Sequence, residues 1–176
     1  MTQFDPLILE PADYHRAAGI VGGTQRLHKP DLVIAPDGNP YLYRWEIIQR
    51  NKQANLYFHI QTASDPERPL HDHPWDNQSV ILAGGYEEIL QENPPWSGQK
   101  RVLRGKGDVV QRKAFEAHRL ILPEIYPYTM TLFSTGPHVR EWGYWIPTHR
   151  GRPDWVNNKE CNVEVDGVAY FKEPVR

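Results

Sequence analysis

Two histidines one residue apart, His71 and His73 in the stretch Leu70-His-Asp-His-Pro-Trp75, are the groups in this chain best spaced for chemistry. In an extended segment alternate side chains point to the same side, so both imidazoles can face one ion while Asp72 faces away. Imidazole nitrogen suits zinc, iron, nickel and copper alike. A third ligand from another strand would complete a metal-binding face, since a catalytic site keeps one position open. There are eight histidines, at 15, 28, 59, 71, 73, 118, 138 and 149, and spacing rather than number separates them. Taken alone, a His-x-His pair reads more readily as a polar loop entering a strand than as a metal site.

Other chemistries find less support. Gly22-Gly23-Thr24 lacks the lysine and the spacing of a phosphate loop. Ser79 and Ser134 have no nucleophile-elbow context. Cys161 is the single cysteine, which excludes an internal disulfide and a cysteine-based zinc site, and nothing near it signals activation. His138 and His149 fall in segments rich in proline and arginine and read as surface loops. A net charge of −2, with no block of like charge, gives no electrostatic footprint for nucleic acid or an anionic membrane. No stretch approaches the roughly 20 apolar residues of a membrane span. The first residues, MTQFDPLILEPADYHR, are acidic and proline-containing where a signal peptide needs a basic start and an apolar run. The expectation is a soluble, cytoplasmic protein.

The elements that must position the histidines are strands. The chain has 176 residues, 39% hydrophobic and 24% charged, enough for one globular domain with a real core. Six Trp, nine Tyr and 16 Pro favour pleated, half-buried surfaces cut by turns. One short helix is expected from about Ala12 to Ile20, ended by Gly22-Gly23. Strands are expected at Tyr41–Gln49, Asn55–Gln61, Gln78–Leu82, Tyr86–Leu90, Arg101–Leu103, Asp108–Gln111, Ala117–Leu122, Tyr128–Ser134 and Glu141–Ile146. Two more, Asn162–Val165 and Val168–Phe171, flank the Asp166-Gly167 turn. Gly151–Asn158 reads as a loop over one barrel end. The pattern predicts one all-β domain over 1–176, a sandwich or barrel. Its core spans about 40–146, after an N-terminal extension (1–39) and before a C-terminal loop and hairpin (147–176).

Two motifs carry a resemblance. His71-Asp-His73-Pro-Trp-Asp-Asn-Gln-Ser-Val-Ile-Leu-Ala-Gly84-Gly85-Tyr pairs two histidines with a closing glycine. Gly107-Asp-Val-Val-Gln-Arg-Lys-Ala-Phe-Glu-Ala-His118 runs from a glycine to one histidine eleven positions later. Over about residues 40–146 the chain resembles the cupin superfamily, whose two signature motifs these are. With Arg140-Glu-Trp-Gly-Tyr-Trp145 it looks like small cupins of bacteria and phages. The resemblance implies a double-stranded β-helix, or jelly-roll barrel, with one divalent metal ion on His71, His73 and His118. The glutamate usual in the first motif is missing; Asn77 or Gln78 takes its place, depending on which glycine closes the motif. Lys113 and Phe115 stand where proline and glycine are usual. The fourth position is open between no protein ligand, Asn77, Gln78 and Asp76.

Three neutral imidazoles would leave a divalent ion's charge uncompensated, which attracts anionic chelating ligands. The resemblance favours iron(II) and dioxygen chemistry on a small anionic substrate, with zinc or nickel as the other ions. Two alternatives stand: a non-catalytic cupin binding a sugar-like small molecule, and a zinc- or nickel-dependent isomerase or hydrolase. Tyr86, Arg119 and Arg140 are candidates to orient an anion, and each reads equally as a solvated strand position. His59 reads first as a hydrogen-bonded core residue, and Trp142, Tyr144 and Trp145 as barrel packing or a pocket wall. A buried Asp or Glu is expected beside a metal-binding histidine, accepting its second N–H. By analogy with cupins that pair through outer strands, a homodimer is expected.

Overall fold

Aromatic and β-branched runs between Gly, Pro and Asn turns become strands throughout the computed structural model, which describes residues 29–35, 38–65, 69–92, 98–148, 152–159, 163–165 and 168–170. The helix expected over 12–20 lies outside these residues, as do His149 and Cys161. The strands are β1 Leu32–Ile34, β2 Leu42–Glu46, β3 Asn55–Gln61, β4 Leu70–His71, β5 Asn77–Ala83, β6 Gly85–Gln91 and β7 Gln99–Gly105. They continue with β8 Val109–Arg112, β9 His118–Ile121, β10 Thr129–Thr135, β11 Gly143–Ile146, β12 Asp154–Asn157, β13 Val163–Val165 and β14 Val168–Tyr170. Among the described residues no helix is long and apolar enough to cross a membrane.

Two six-stranded antiparallel sheets result, in the orders β1-β2-β3-β10-β5-β8 and β12-β11-β4-β9-β6-β7, with β13 and β14 paired apart. From β3 to β11 the chain changes sheet at every connection except β6 to β7. That alternation is the path of a double-stranded β-helix. The sheets reach beyond residues 40–146 at both ends, through β1 and β12. Gly84 makes one change of sheet, from β5 to β6, at φ +67°, and a Cβ there would lie 2.0 Å from the Tyr128 carbonyl oxygen. Only glycine fits that corner.

Strand alternation sorts the side chains of the first sheet. Tyr57, His59, Ser79, Arg112 and Phe133 face the second sheet, where Arg112 pairs with Glu88 and Phe133 packs on His73. The opposite face carries an apolar cluster of Trp45, Ile47, Leu56 and Phe58.

Strands β1 and β4 fall where no strand was expected, and one further segment contradicts its reading. Asp154–Asn157, inside the stretch read as loop, is β12 and pairs with β11, setting Trp155 opposite Trp145. The reason is tertiary. Asp72 is fully buried; its Oδ1 accepts from the Gly143 N–H (2.8 Å), and its Oδ2 accepts from the indoles of Trp145 (3.2 Å) and Trp155 (2.9 Å). Arg140 completes the set at 3.0 Å from Oδ2. A carboxylate 83 residues upstream therefore holds the strand in place. Replacing Asp72 with Ala strands three N–H donors and a guanidinium, and is expected to cost about 3 kcal/mol or more. Asp72→Asn, with a single acceptor oxygen, should fall between; urea denaturation of both variants checks the order.

Candidate metal centre

The triad is positioned by two changes of sheet that run side by side. His71 ends β4, and residues 72–76 carry the chain to β5; residues 113–117 carry it back from β8 to His118 at the start of β9. The two crossings bind each other. The His73 N–H donates to the Ala114 carbonyl (3.0 Å), the Ala114 N–H to Asp76 Oδ1 (2.8 Å), and Lys113 Nζ to Asp76 Oδ2 (2.9 Å). His71 sits directly opposite His118 across the β4–β9 pair.

The three imidazoles are thereby gathered from two distant segments. Their ring centroids lie 5.0–5.2 Å apart, and one nitrogen from each lies within 4.8 Å of the others. His73 Nε2 and His118 Nε2 are 2.8 Å apart. Two nitrogens about 2.1 Å from a single ion, at right angles, stand about 3.0 Å apart, so this spacing suits neighbouring positions on one ion.

Behind His118 sits a residue that the motif reading did not single out. Glu88 on β6 is fully buried, and its Oε1 lies 3.0 Å from His118 Nδ1. Burial raises its pKa, but the His118 hydrogen bond and the Arg112 charge prevail and bring it down to about 2. Burial, with help from Arg112, pushes His118 to about 3, so its ring is neutral. A neutral ring facing an ionised carboxylate donates from Nδ1 and leaves the Nε2 lone pair pointing at the cluster. His73 is also held well below the ordinary histidine range, by burial first and then by His118. The donor set therefore fits a metal ion. The second N–H of one histidine ends on a carboxylate, as metal-binding histidines require. The one local signal for Glu88 is parity: in Gly85-Tyr-Glu-Glu-Ile-Leu-Gln91 it shares a strand face with Tyr86.

Glu88 is itself held by two arginines. Arg112, 5% exposed, forms an ion pair with it and reaches Ser79 Oγ and Tyr86 OH, both at 3.4 Å. Arg104 Nε adds a bond to Oε2 at 3.0 Å. A cleft of about 420 Å³, lined in part by Glu88, Arg104, Arg112, Phe115 and Trp145, reaches this ion cluster, and none of the three histidines lines it.

The other candidates are distributed as follows. Tyr86 is buried and accepts from Arg112, within the Glu88 network. Arg119 alternates with His118 on β9 and lies on the other sheet face. Arg140 is committed to Asp72 and stacks over Trp155. Of the fourth-ligand candidates, Asp76 has both oxygens bonded, to Ala114 and Lys113. Gln78 turns to the opposite face, where its Oε1 accepts from Gln111 at 2.8 Å. Asn77 shares the inner face with Ser79, is 2% exposed, and keeps a buried Oδ1 with no partner. His59 accepts a hydrogen bond from Arg44. Trp75 stacks on His73 (5.1 Å), and Trp142 and Tyr144 flank His71 at 6.4 Å, walling the cluster with aromatic rings. Trp145 faces Asp72 instead. His138 is exposed.

The strands change sheet in turn, and the histidines of both motifs meet where the two crossings touch. The barrel is a double-stranded β-helix, the fold that the two motifs lead one to expect. No protein-family model matches the chain, and no curated protein matches it. Among solved structures the chain is similar to iron(II) HppE, at 13% identity and TM-score 0.48, over 73% of this chain and 77% of that one. It is similar to the DMSP lyase DddQ of Ruegeria pomeroyi, at 22% identity and TM-score 0.46, over 75% and 67%. A conserved protein of Klebsiella pneumoniae with a double-stranded β-helix domain matches at 13% identity and TM-score 0.45, over 68% and 96%.

Glu88→Gln retains the shape of the side chain but removes the charge that fixes the His118 tautomer. The expected result is a metal affinity about 10- to 100-fold weaker, measured by competition with a coloured chelator.

Proposed function

We propose that this cupin is a metal-dependent enzyme of the iron(II) dioxygenase type, acting on a small anionic substrate. The observation that carries the reading is the convergence of three neutral imidazoles, one of them locked by an ionised carboxylate, inside an aromatic-walled barrel. His71, His73 and His118 would hold the ion, with the unpartnered Asn77 Oδ1 as a weak, neutral fourth donor. A divalent ion there would supply Lewis acidity and open positions for substrate and, in the case of iron(II), dioxygen. None of these four donors carries charge, so the centre favours an anionic group at its open positions. Glu88 does not alter that balance, because Arg112 matches its charge at contact distance. Its role is to keep the His118 N–H directed backward and the lone pair forward. Trp75, Trp142 and Tyr144 would exclude water from the face that receives the substrate.

Protein purified without a nickel column should carry a first-row metal at near-equal stoichiometry, with His73→Ala and His118→Ala both losing it. Elemental analysis showing no metal in the unmodified protein overturns the reading. Oxygen-electrode assays separate it from a zinc- or nickel-dependent isomerase or hydrolase, because turnover that persists without dioxygen favours the latter.

A further inference from the structure

Arg44 has no role in the centre described above, and its surroundings are unusual for an arginine. It lies on β2 directly opposite His59, so both side chains are on the inner face of the first sheet. Its Nε donates to His59 Nε2 at 2.9 Å, and its guanidinium lies 4.5 Å from the centroid of the Tyr57 ring. No carboxylate pairs with it among the described residues. The charges around it are Arg50, which opposes it, and the more weakly felt Glu46; Tyr41 and Tyr57 are the other titratable neighbours. Burial lowers its pKa, the expected effect on a cation taken from water. Burial likewise holds His59 well below the ordinary range, so the ring is a neutral acceptor.

Nε is spent on His59, which leaves the end-on pair of Nη groups, the edge of the fork that matches a carboxylate. Two rings, His59 and Phe133, lie between Arg44 and the triad. Phe133 stacks on His59 at 5.3 Å and packs against His73 at 6.3 Å, so one ring links the two sites.

We propose that Arg44 is a specificity residue that binds a second carboxylate of the substrate, so that the preferred substrate is a dicarboxylate. One anionic group would go to the metal and the other to Arg44. This rests on the metal-centre reading above. His59 and Tyr57 act as positioning residues that hold the guanidinium while its outer edge waits for the anion.

The test uses cobalt(II)-loaded protein, with the visible spectrum of the cobalt as readout and butyrate, succinate and glutarate as probes. Succinate or glutarate should bind about tenfold or more tightly than butyrate. Arg44→Gln, which retains a donor for His59, should erase that preference while cobalt stoichiometry and butyrate affinity stay unchanged. Arg44→Lys, with the charge but not the fork, should fall between, and serves if the glutamine variant does not fold. No dicarboxylate preference in the unmodified protein, or a preference that survives in both variants, overturns the proposal and leaves the metal reading intact. Failure to bind cobalt overturns the metal reading and the proposal with it.

Discussion

The site depends on the orientation of one buried carboxylate. His71 and His73 face the interior only while Asp72, between them, faces the other way, and Asp72 is held there by four groups from residues 140–155. The same carboxylate orders a strand that would otherwise be loop. Alternation along an extended segment has a period of two, so a slip of one residue would turn both imidazoles out of the barrel. The aspartate thus specifies register, and its apparent idleness between two candidate ligands is misleading.

The interior charges follow a similar economy. A buried carboxylate tolerates a dry environment only with strong partners, and Glu88 has three: His118, Arg112 and Arg104. The arrangement resolves a tension in the chemistry. A carboxylate bound directly to the ion would reduce the centre's charge, whereas a carboxylate behind a histidine and matched by arginine fixes geometry while leaving the charge available to a ligand. As the proposed fourth donor, Asn77 would fit the same pattern, with a buried oxygen that carries no charge.

Much of the fold was legible in the sequence, where local pattern and global structure agree. Asn55–Gln61 is a strand over the expected residues, and the two motifs locate the sheet crossings. Three things were not legible for definite reasons. Strand β4 has only two residues and no periodicity to read. Strand β12 is set by an aspartate far upstream, which no local window contains. Glu88 is one of an adjacent acidic pair, and only its parity with Tyr86 separates it from Glu87, which pairs with Arg101 on the other face. Parity also explains Arg119, since a neighbour of an inward histidine on a strand faces outward. Arg44 lies in Tyr-Leu-Tyr-Arg-Trp-Glu, where nothing local reveals that no carboxylate pairs with it among the described residues.

The path of the chain between sheets has a further consequence, for the order of events in folding. Six of the eleven strand pairings among the described residues join strands that are not consecutive in the chain, and His71 meets His118 only after β5 to β8 have been laid down between them. Folds dominated by such distant pairings close slowly, because loop entropy is spent before contacts repay it. No local fragment can therefore preassemble the three imidazoles, and the pocket exists only in the finished barrel. An ion bound there recognises the completed topology, and its binding energy adds in full to the stability of the native state against all partly wound forms.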